Sequence, residues 1–306
     1  MRAIVGSILA VAFTLGTVWL FLPFQLVKDV IPAIANADFA LLFVAGALIA
    51  GVQWVRAWRL SIFSTGQATL PDMDFVSVAA QLNFYSFLVP YRMGDLSYPV
   101  LAKKVLGHPI AKAAAVLLAT RLLDLAAVTS LFLGIGAILG AFGGPAGQLA
   151  LAAATGLLIA PVAGVPFIAI FMRAVNRKAR LASLARALEH CAEFRSFLPV
   201  YLLGYAIWIQ FALAAFLCAR AADLQIGAVT AGFGSTASNI AFALPISGIA
   251  GLGPSQAAWV LALQSVGVDV YAALVSALAF YLVTLASACV CGLAGFALML
   301  ARAPRT

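Results

Sequence analysis

Length, composition and charge restrict this chain to a membrane. Of its 306 residues, 65% are hydrophobic and 9% are charged, against about 25% charged in an ordinary soluble domain, so a soluble fold is excluded. The net charge is +8, but the basic residues stand beside apolar runs and form no basic arm with interleaved aromatic residues, which excludes a nucleic-acid partner. The four cysteines lack metal-ligand spacing, so we expect no metal site and no cofactor.

Six apolar runs reach the length of about 20 residues that a transmembrane helix needs. In chain order they cover approximately residues 3–22, 39–58, 113–141, 148–172, 197–219 and 270–300. The first run has some features of a secretory signal peptide. Its apolar core is too long, however, and the cleavage-like pattern at Ala35-Asn36-Ala37 lies too far beyond its end, so we expect a retained helix.

Two further apolar stretches are interrupted by Pro and Gly before they reach spanning length. The first covers approximately 75–106, with its break at Pro90 to Gly94, and the second covers approximately 227–266, with its break at Pro245 to Pro254. A helix, a break and a second helix indicate a re-entrant hairpin. The sequence therefore predicts an all-α polytopic membrane protein with six full transmembrane helices and two re-entrant helical hairpins.

The distribution of Lys and Arg predicts the orientation, because cytoplasmic loops retain basic residues. With the N-terminus inside, only Lys28 and Arg220 of the 18 basic residues fall outside. We therefore expect a multi-pass protein of a bacterial inner (plasma) membrane with both termini cytoplasmic. Within this single domain of residues 1–306, the order span, span, hairpin, span occurs at approximately 3–141 and again, inverted, at 148–300. Such inverted repeats are typical of secondary transporters.

Several motifs resemble the lysylphosphatidylglycerol synthase transmembrane-region family, also called flippase-like. The run from Asn83 to Asp95, NFYSFLVPYRMGD, and the later RLLD from Arg121 to Asp124 resemble its N-x6-P-x-R-x-G-[DE] and R-x-x-D elements. The run from Leu244 to Ala258, LPISGIAGLGPSQAA, is similar to its L-P-x-S-x-G-G-x-G-x-x-E-A signature. The resemblance spans nearly the whole chain.

The resemblance implies movement of a lipid or a lipid-linked head group between leaflets. Tyr98 stands where the family commonly has a second Arg, and Gln256 stands where a Glu is usual, which leaves the identity of the head group open. Bifunctional members carry a C-terminal aminoacyltransferase domain, whereas this chain ends at Thr306. We therefore expect no synthase activity, and no enzyme activity.

Charged residues in the first half are candidates for substrate binding, since a charge inside a membrane is costly unless it faces protein or water. Arg92, in the first break, either holds a phosphate bidentately or reaches the cytoplasmic interface. Arg121 and Asp124, one turn apart on a helix, form either a structural ion pair or one that exchanges partners with Asp95 or a substrate phosphate. Asp95 is also expected to cap the helix after Gly94.

The second break is uncharged and is expected to bind through its backbone. Gly253 followed by Pro254 predicts a helix start, whose free N–H groups can hold an anionic head group; close packing of the glycines is the alternative. Asn83 and Asn239, one before each break, are expected to satisfy freed carbonyl groups more than to contact a ligand. The candidates of the second half are Asn239, Ser247, Gly253, Ser255 and Gln256.

We expect a flippase-like transporter that binds an anionic or lipid-linked head group between its hairpins. The alternatives are a membrane-embedded transferase with Asp95 or Asp124 as its base, an accessory membrane subunit of a lipid or envelope biosynthesis system, and a transporter of a soluble substrate. The expected partners are a membrane lipid or lipid-linked substrate and, besides it, a second copy or a biosynthetic enzyme. Arg56 and Arg59 are assigned to an interfacial belt with Trp residues.

Overall fold

A computed structural model of the chain describes residues 31–67, 69–89, 94–176, 194–243 and 253–302; for 164–176 and 194–195 it describes the backbone alone. A helical stretch over 31–35 precedes nine helices in these residues. They are α1 (Phe39–Thr65), α2 (Met73–Leu88), α3 (Ser97–Leu106), α4 (Ile110–Ile138), α5 (Gly144–Asn176), α6 (Phe194–Ala221), α7 (Ala228–Ala243), α8 (Pro254–Ser265) and α9 (Val270–Arg302).

Five of the described helices are long and apolar enough to cross a membrane, namely α1, α4, α5, α6 and α9. They confirm five of the six predicted spans and make the chain a multi-pass membrane protein. The first predicted span, at approximately 3–22, lies outside the described residues. Helix α1 begins where Asp38 accepts a hydrogen bond from the Ala40 N–H (2.8 Å), and it continues to Thr65, beyond its predicted end.

Helices α2 and α3 fold back on each other and form the first hairpin. At the open end the rings of Phe75 and His108 lie 6.0 Å apart, and at the closed end the Ser86 hydroxyl donates a hydrogen bond to Asp95. A Cβ atom at Gly94 would lie 2.0 Å from the Tyr85 carbonyl oxygen, so only glycine permits this approach. We call the last turn of α2 with residues 94–96 the first tip.

Helices α7 and α8 form the second hairpin. Gly234, nine residues before the end of α7, faces Leu263, nine residues after the start of α8, so the two helices are antiparallel. Helix α8 begins at Pro254, as predicted, and Gly253 precedes it with a φ of 117°, which favours glycine. We call the last turn of α7 with residues 253–256 the second tip; Ser247 lies outside the described residues.

An antiparallel pair of spans, α1 and α6, holds the hairpins at opposite ends. The Asp38 N–H donates to the Ala221 carbonyl oxygen (2.8 Å) where α1 begins and α6 ends, and Ser196 donates to the Gly66 carbonyl oxygen (3.3 Å) where α6 begins and α1 ends. The first hairpin follows the end of α1, whereas the second follows the end of α6. The two hairpins therefore start from opposite ends of this pair.

The tips of the two hairpins meet in the interior. The rings of Phe87 in the first tip and Phe242 in the second lie 5.1 Å apart. Helix α9 packs against α2, and α4 packs against α7, so the last span of each half covers the hairpin of the other. Small residues permit this approach, since a Cβ atom at Gly292 of α9 would lie 2.6 Å from Phe84 of α2.

Candidate substrate-binding site

A cavity of about 380 Å³ lies where the two tips meet, between α1, α4, α6 and α9. Its volume is within the range of small-molecule sites. It brings together seven of the ten predicted site residues, from positions up to 173 apart in the sequence. These seven are Asn83, Asp95, Arg121, Asp124, Asn239, Ser255 and Gln256. Gly253 lies at the start of α8, and Arg92, like Ser247, is outside the described residues.

Arg121 of α4 lies between two carboxylates. Its Nη2 donates to Asp95 Oδ1 of the first tip at 2.7 Å, whereas its Nη1 is 3.7 Å from Asp124 Oδ2 on its own helix. The contact that the sequence spacing predicted, between Arg121 and Asp124, is thus the longer of the two. Asp95 does not cap α3, which begins at Ser97 without a side-chain cap. Its carboxylate binds Arg121 and Ser86 instead.

Asp124 is held by an arginine of the neighbouring span. Arg59 Nη1 donates to Asp124 Oδ1 at 2.5 Å, and Arg59 Nη2 donates to the Thr120 carbonyl oxygen at 3.3 Å. The Arg59 side chain is only 3% exposed. Assigning Arg59 and Arg56 to an interfacial belt was wrong, because Arg59 is buried against Asp124 and Arg56 contacts Asn83 in the cavity lining.

Arg56 adds a further guanidinium group to the cavity. It donates a hydrogen bond to Asn83 Oδ1, and its Cζ lies 5.6 Å from the centroid of the Phe211 ring, within cation–π range. Asn83 thus binds Arg56, whereas the sequence predicted a backbone carbonyl group at the break as its partner. The three arginines and two aspartates at this end leave one net positive charge among the described residues.

The second tip contributes neutral polar groups. Gln256 Oε1 accepts hydrogen bonds from the Gly253 N–H (2.7 Å) and from the Ser255 hydroxyl (3.2 Å), so Gln256 occupies one N–H group of the helix start that was expected to hold an anion. Asn239 donates to the Ser235 carbonyl oxygen (2.8 Å) within α7. The charges of the described site therefore lie on the side of the first tip.

The cavity reaches the outer surface of α4. Leu122 and Leu125 line it and are 60% and 46% exposed. Trp259 and Phe280 also line it and stack with 5.3 Å between ring centroids. The cavity therefore connects the guanidinium of Arg121 with the exposed apolar side of α4.

The chain matches a known protein family. The model of the family described as "Lysylphosphatidylglycerol synthase TM region" matches residues 7–292. No curated protein and no solved structure matches the chain. The matched range includes both hairpins and every residue that lines the cavity.

Proposed function

Because this chain belongs to the lysylphosphatidylglycerol synthase TM region family, we propose that it is a flippase-like transporter that moves an anionic or lipid-linked head group between the leaflets of a bacterial inner membrane. The family description associates such regions with membrane-lipid synthesis. The observation that carries the proposal is the cavity at the meeting point of the tips, which contains guanidinium groups and reaches a lipid-facing surface.

The helix contacts favour an inverted repeat, with α1–α4 corresponding to α6–α9. Contacts of α1 with α2, α2 with α3, and α3 with α4 have counterparts in α6 with α7, α7 with α8, and α8 with α9. The contacts between the halves also correspond, since α9 with α2 and α1 matches α4 with α7 and α6. Because α1 and α6 are antiparallel, the copies are inverted. Rocking of one copy against the other then exposes a central site to either leaflet.

Helix length favours hairpins that are re-entrant. Helices α2, α3, α7 and α8 contain 16, 10, 16 and 12 residues, which correspond to about 24, 15, 24 and 18 Å. The hydrocarbon core is about 30 Å thick. Hairpins that start from opposite ends and meet at their tips would place the cavity near the midplane. The head group binds there, while its chains stay in lipid beside Leu122 and Leu125.

The charge of the site favours an anionic head group. Guanidinium groups bind phosphate bidentately, and the three described arginines of the site outnumber its two aspartates by one. Asp95 and Asp124 both contact arginines. These contacts favour a site that binds an anion over a transferase that uses either aspartate as its base. We place the open end of the first hairpin, which carries Lys103 and Lys104 and whose Asp74 pairs with Arg302 of α9, in the cytoplasm.

Transport is tested in proteoliposomes that contain fluorescent phosphatidylglycerol, with dithionite added outside to quench label that reaches the outer leaflet. The variants Arg121→Gln and Arg56→Gln are compared with Arg302→Gln, which removes an arginine of an exposed ion pair with Asp74. Wild type and Arg302→Gln should expose inner-leaflet label. Each cavity variant should slow the exposure of inner-leaflet label at least about tenfold, because a hydrogen bond to a charged group contributes about 1.5–3 kcal/mol.

The alternatives give different results in the same vesicles. Lipid that copurifies with the protein, identified by mass spectrometry, serves as a second substrate. Chemical conversion of either lipid would favour the transferase. If neither lipid changes leaflet or chemistry with wild-type protein, the transport proposal is wrong and an accessory subunit becomes the better explanation.

A further inference from the structure

We propose that Asp95 occupies the place of the substrate's anionic group at Arg121, and that the head group binds by displacing it. This inference rests on the proposed function, since it takes the anion to be the head group of the transported lipid. The bond between Asp95 Oδ1 and Arg121 Nη2 is 2.7 Å long. A phosphodiester oxygen accepts the same charge-assisted hydrogen bond as a carboxylate oxygen.

The two aspartates that contact Arg121 have different described partners. Asp124 is bound by Arg59 at 2.5 Å, with side chains 14% and 3% exposed, so it stays neutralised when Arg121 turns towards a ligand. Asp95 accepts a hydrogen bond from Ser86 of its own tip, which it keeps on leaving Arg121. Asp95 is therefore the carboxylate that exchanges, and Asp124 is the fixed one.

Arg121 is accessible to an anion in the cavity. Its side chain is 26% exposed and that of Asp95 is 17% exposed, and both line the cavity beside the lipid-facing Leu122. The Nε of Arg121 is buried and has no hydrogen-bond partner among the described residues. When the guanidinium turns towards the cavity, this N–H can donate to a phosphate oxygen, so that a bidentate contact with the phosphate becomes available.

Displacement links binding to movement of the hairpin. Asp95 belongs to the first tip and Arg121 to α4, so their bond joins the hairpin to the last span of the same half. A bound phosphate repels the Asp95 carboxylate, since like charges a few ångströms apart are destabilising. Loss of the bond frees the tip from α4, and the free energy of head-group binding thereby shifts the equilibrium towards a rearranged state.

The binding test uses purified protein in detergent, with dioctanoyl phosphatidylglycerol as the anionic probe and dioctanoylglycerol, which lacks the phosphate, as the neutral one. Asp95→Asn should bind the anionic probe about tenfold tighter, because the internal competitor loses its charge. Asp74→Asn, which removes the same charge from an exposed ion pair away from the cavity, should bind it like wild type. Affinity for the neutral probe should not change. Unchanged or weaker anion binding by Asp95→Asn would overturn the proposal.

Hydrogen exchange of the wild-type protein tests the same idea without a substitution, and separates displacement from a mere gain in positive charge. The anionic probe should speed exchange of backbone amides in residues 84–89 and 94–96, whereas the neutral probe should not. Protection of these residues, or no change, would contradict displacement. Both assays are independent of transport: displacement without lipid movement in vesicles removes the proposed function, and lipid movement without displacement removes only this inference.

Discussion

Breaking the buried ion pair between Arg59 and Asp124 should be far more destabilising than breaking an exposed one. Asp124→Asn removes the charge opposite Arg59, which is 3% exposed and otherwise donates to the Thr120 carbonyl oxygen. Loss of one partner of a buried pair typically costs about 3–5 kcal/mol, because the other charge is left uncompensated. The second carboxylate contact of Arg121, at 3.7 Å, is lost as well.

The matched control is Asp74→Asn. Its ion pair with Arg302 has a comparable length of 3.0 Å, but the side chains are 40% and 49% exposed, and exposed pairs contribute about 0–1 kcal/mol. The double variant Arg59→Met with Asp124→Leu should recover most of the stability that Asp124→Asn loses, since replacing both partners of a buried pair by apolar residues is often close to neutral.

The measurement is the free energy of unfolding in detergent micelles at neutral pH, followed by tryptophan fluorescence. Equal losses for Asp124→Asn and Asp74→Asn would show that burial does not set the cost. A double variant no more stable than Asp124→Asn would show that the site needs these charges for its structure. Either result would refute the electrostatic reasoning.

Further predictions concern thermal unfolding in detergent. Gly292→Ala should lower the free energy of unfolding by about 1–3 kcal/mol, because its Cβ would lie 2.6 Å from Phe84. Gly156→Ala, whose Cβ would have nothing within 4 Å, should be neutral or stabilising by up to about 1 kcal/mol. Equal losses of stability would contradict the packing argument. Gly253→Ala should lower the free energy of unfolding by about 1–3 kcal/mol, because alanine is strained at the φ of 117° that Gly253 adopts. Burial lowers the pKa of His108, in the connection before α4, from its usual 6.5. The folded state then binds fewer protons than the unfolded one, so stability should fall as the pH drops below 6.5, and His108→Gln should weaken that dependence.

The spans could be predicted from the sequence, whereas the surroundings of their charged residues could not. The predicted end of the second span came at Trp58, although the apolar residues Leu60, Ile62 and Phe63 continue the helix to Thr65. Those residues were the available signal that Arg59 lies inside a span. Charged residues near a span end suggest an interface by composition alone, and only the neighbouring helices show whether they face water or protein.

The partners of the site residues were beyond sequence spacing. Arg121 and Asp124, three positions apart on one helix, were the obvious pair. The shorter contacts join Arg121 to Asp95, 26 positions away, and Asp124 to Arg59, 65 positions away. At this site the neighbouring elements provide the closer partners, and the chain order does not record which elements face each other.

The sequence by itself determined the membrane class, the described spans and the positions at which two helices are interrupted. These properties follow from local composition, since hydrocarbon requires uninterrupted apolar helices and Pro and Gly end them. Tertiary structure alone decided that both tips border one cavity, that Arg56 lines its charged end, that Arg59 binds Asp124, and that Asp95 binds Arg121. Those contacts depend on how α1, α4 and α6 pack around the hairpins, because packing sets the distances over which charges attract.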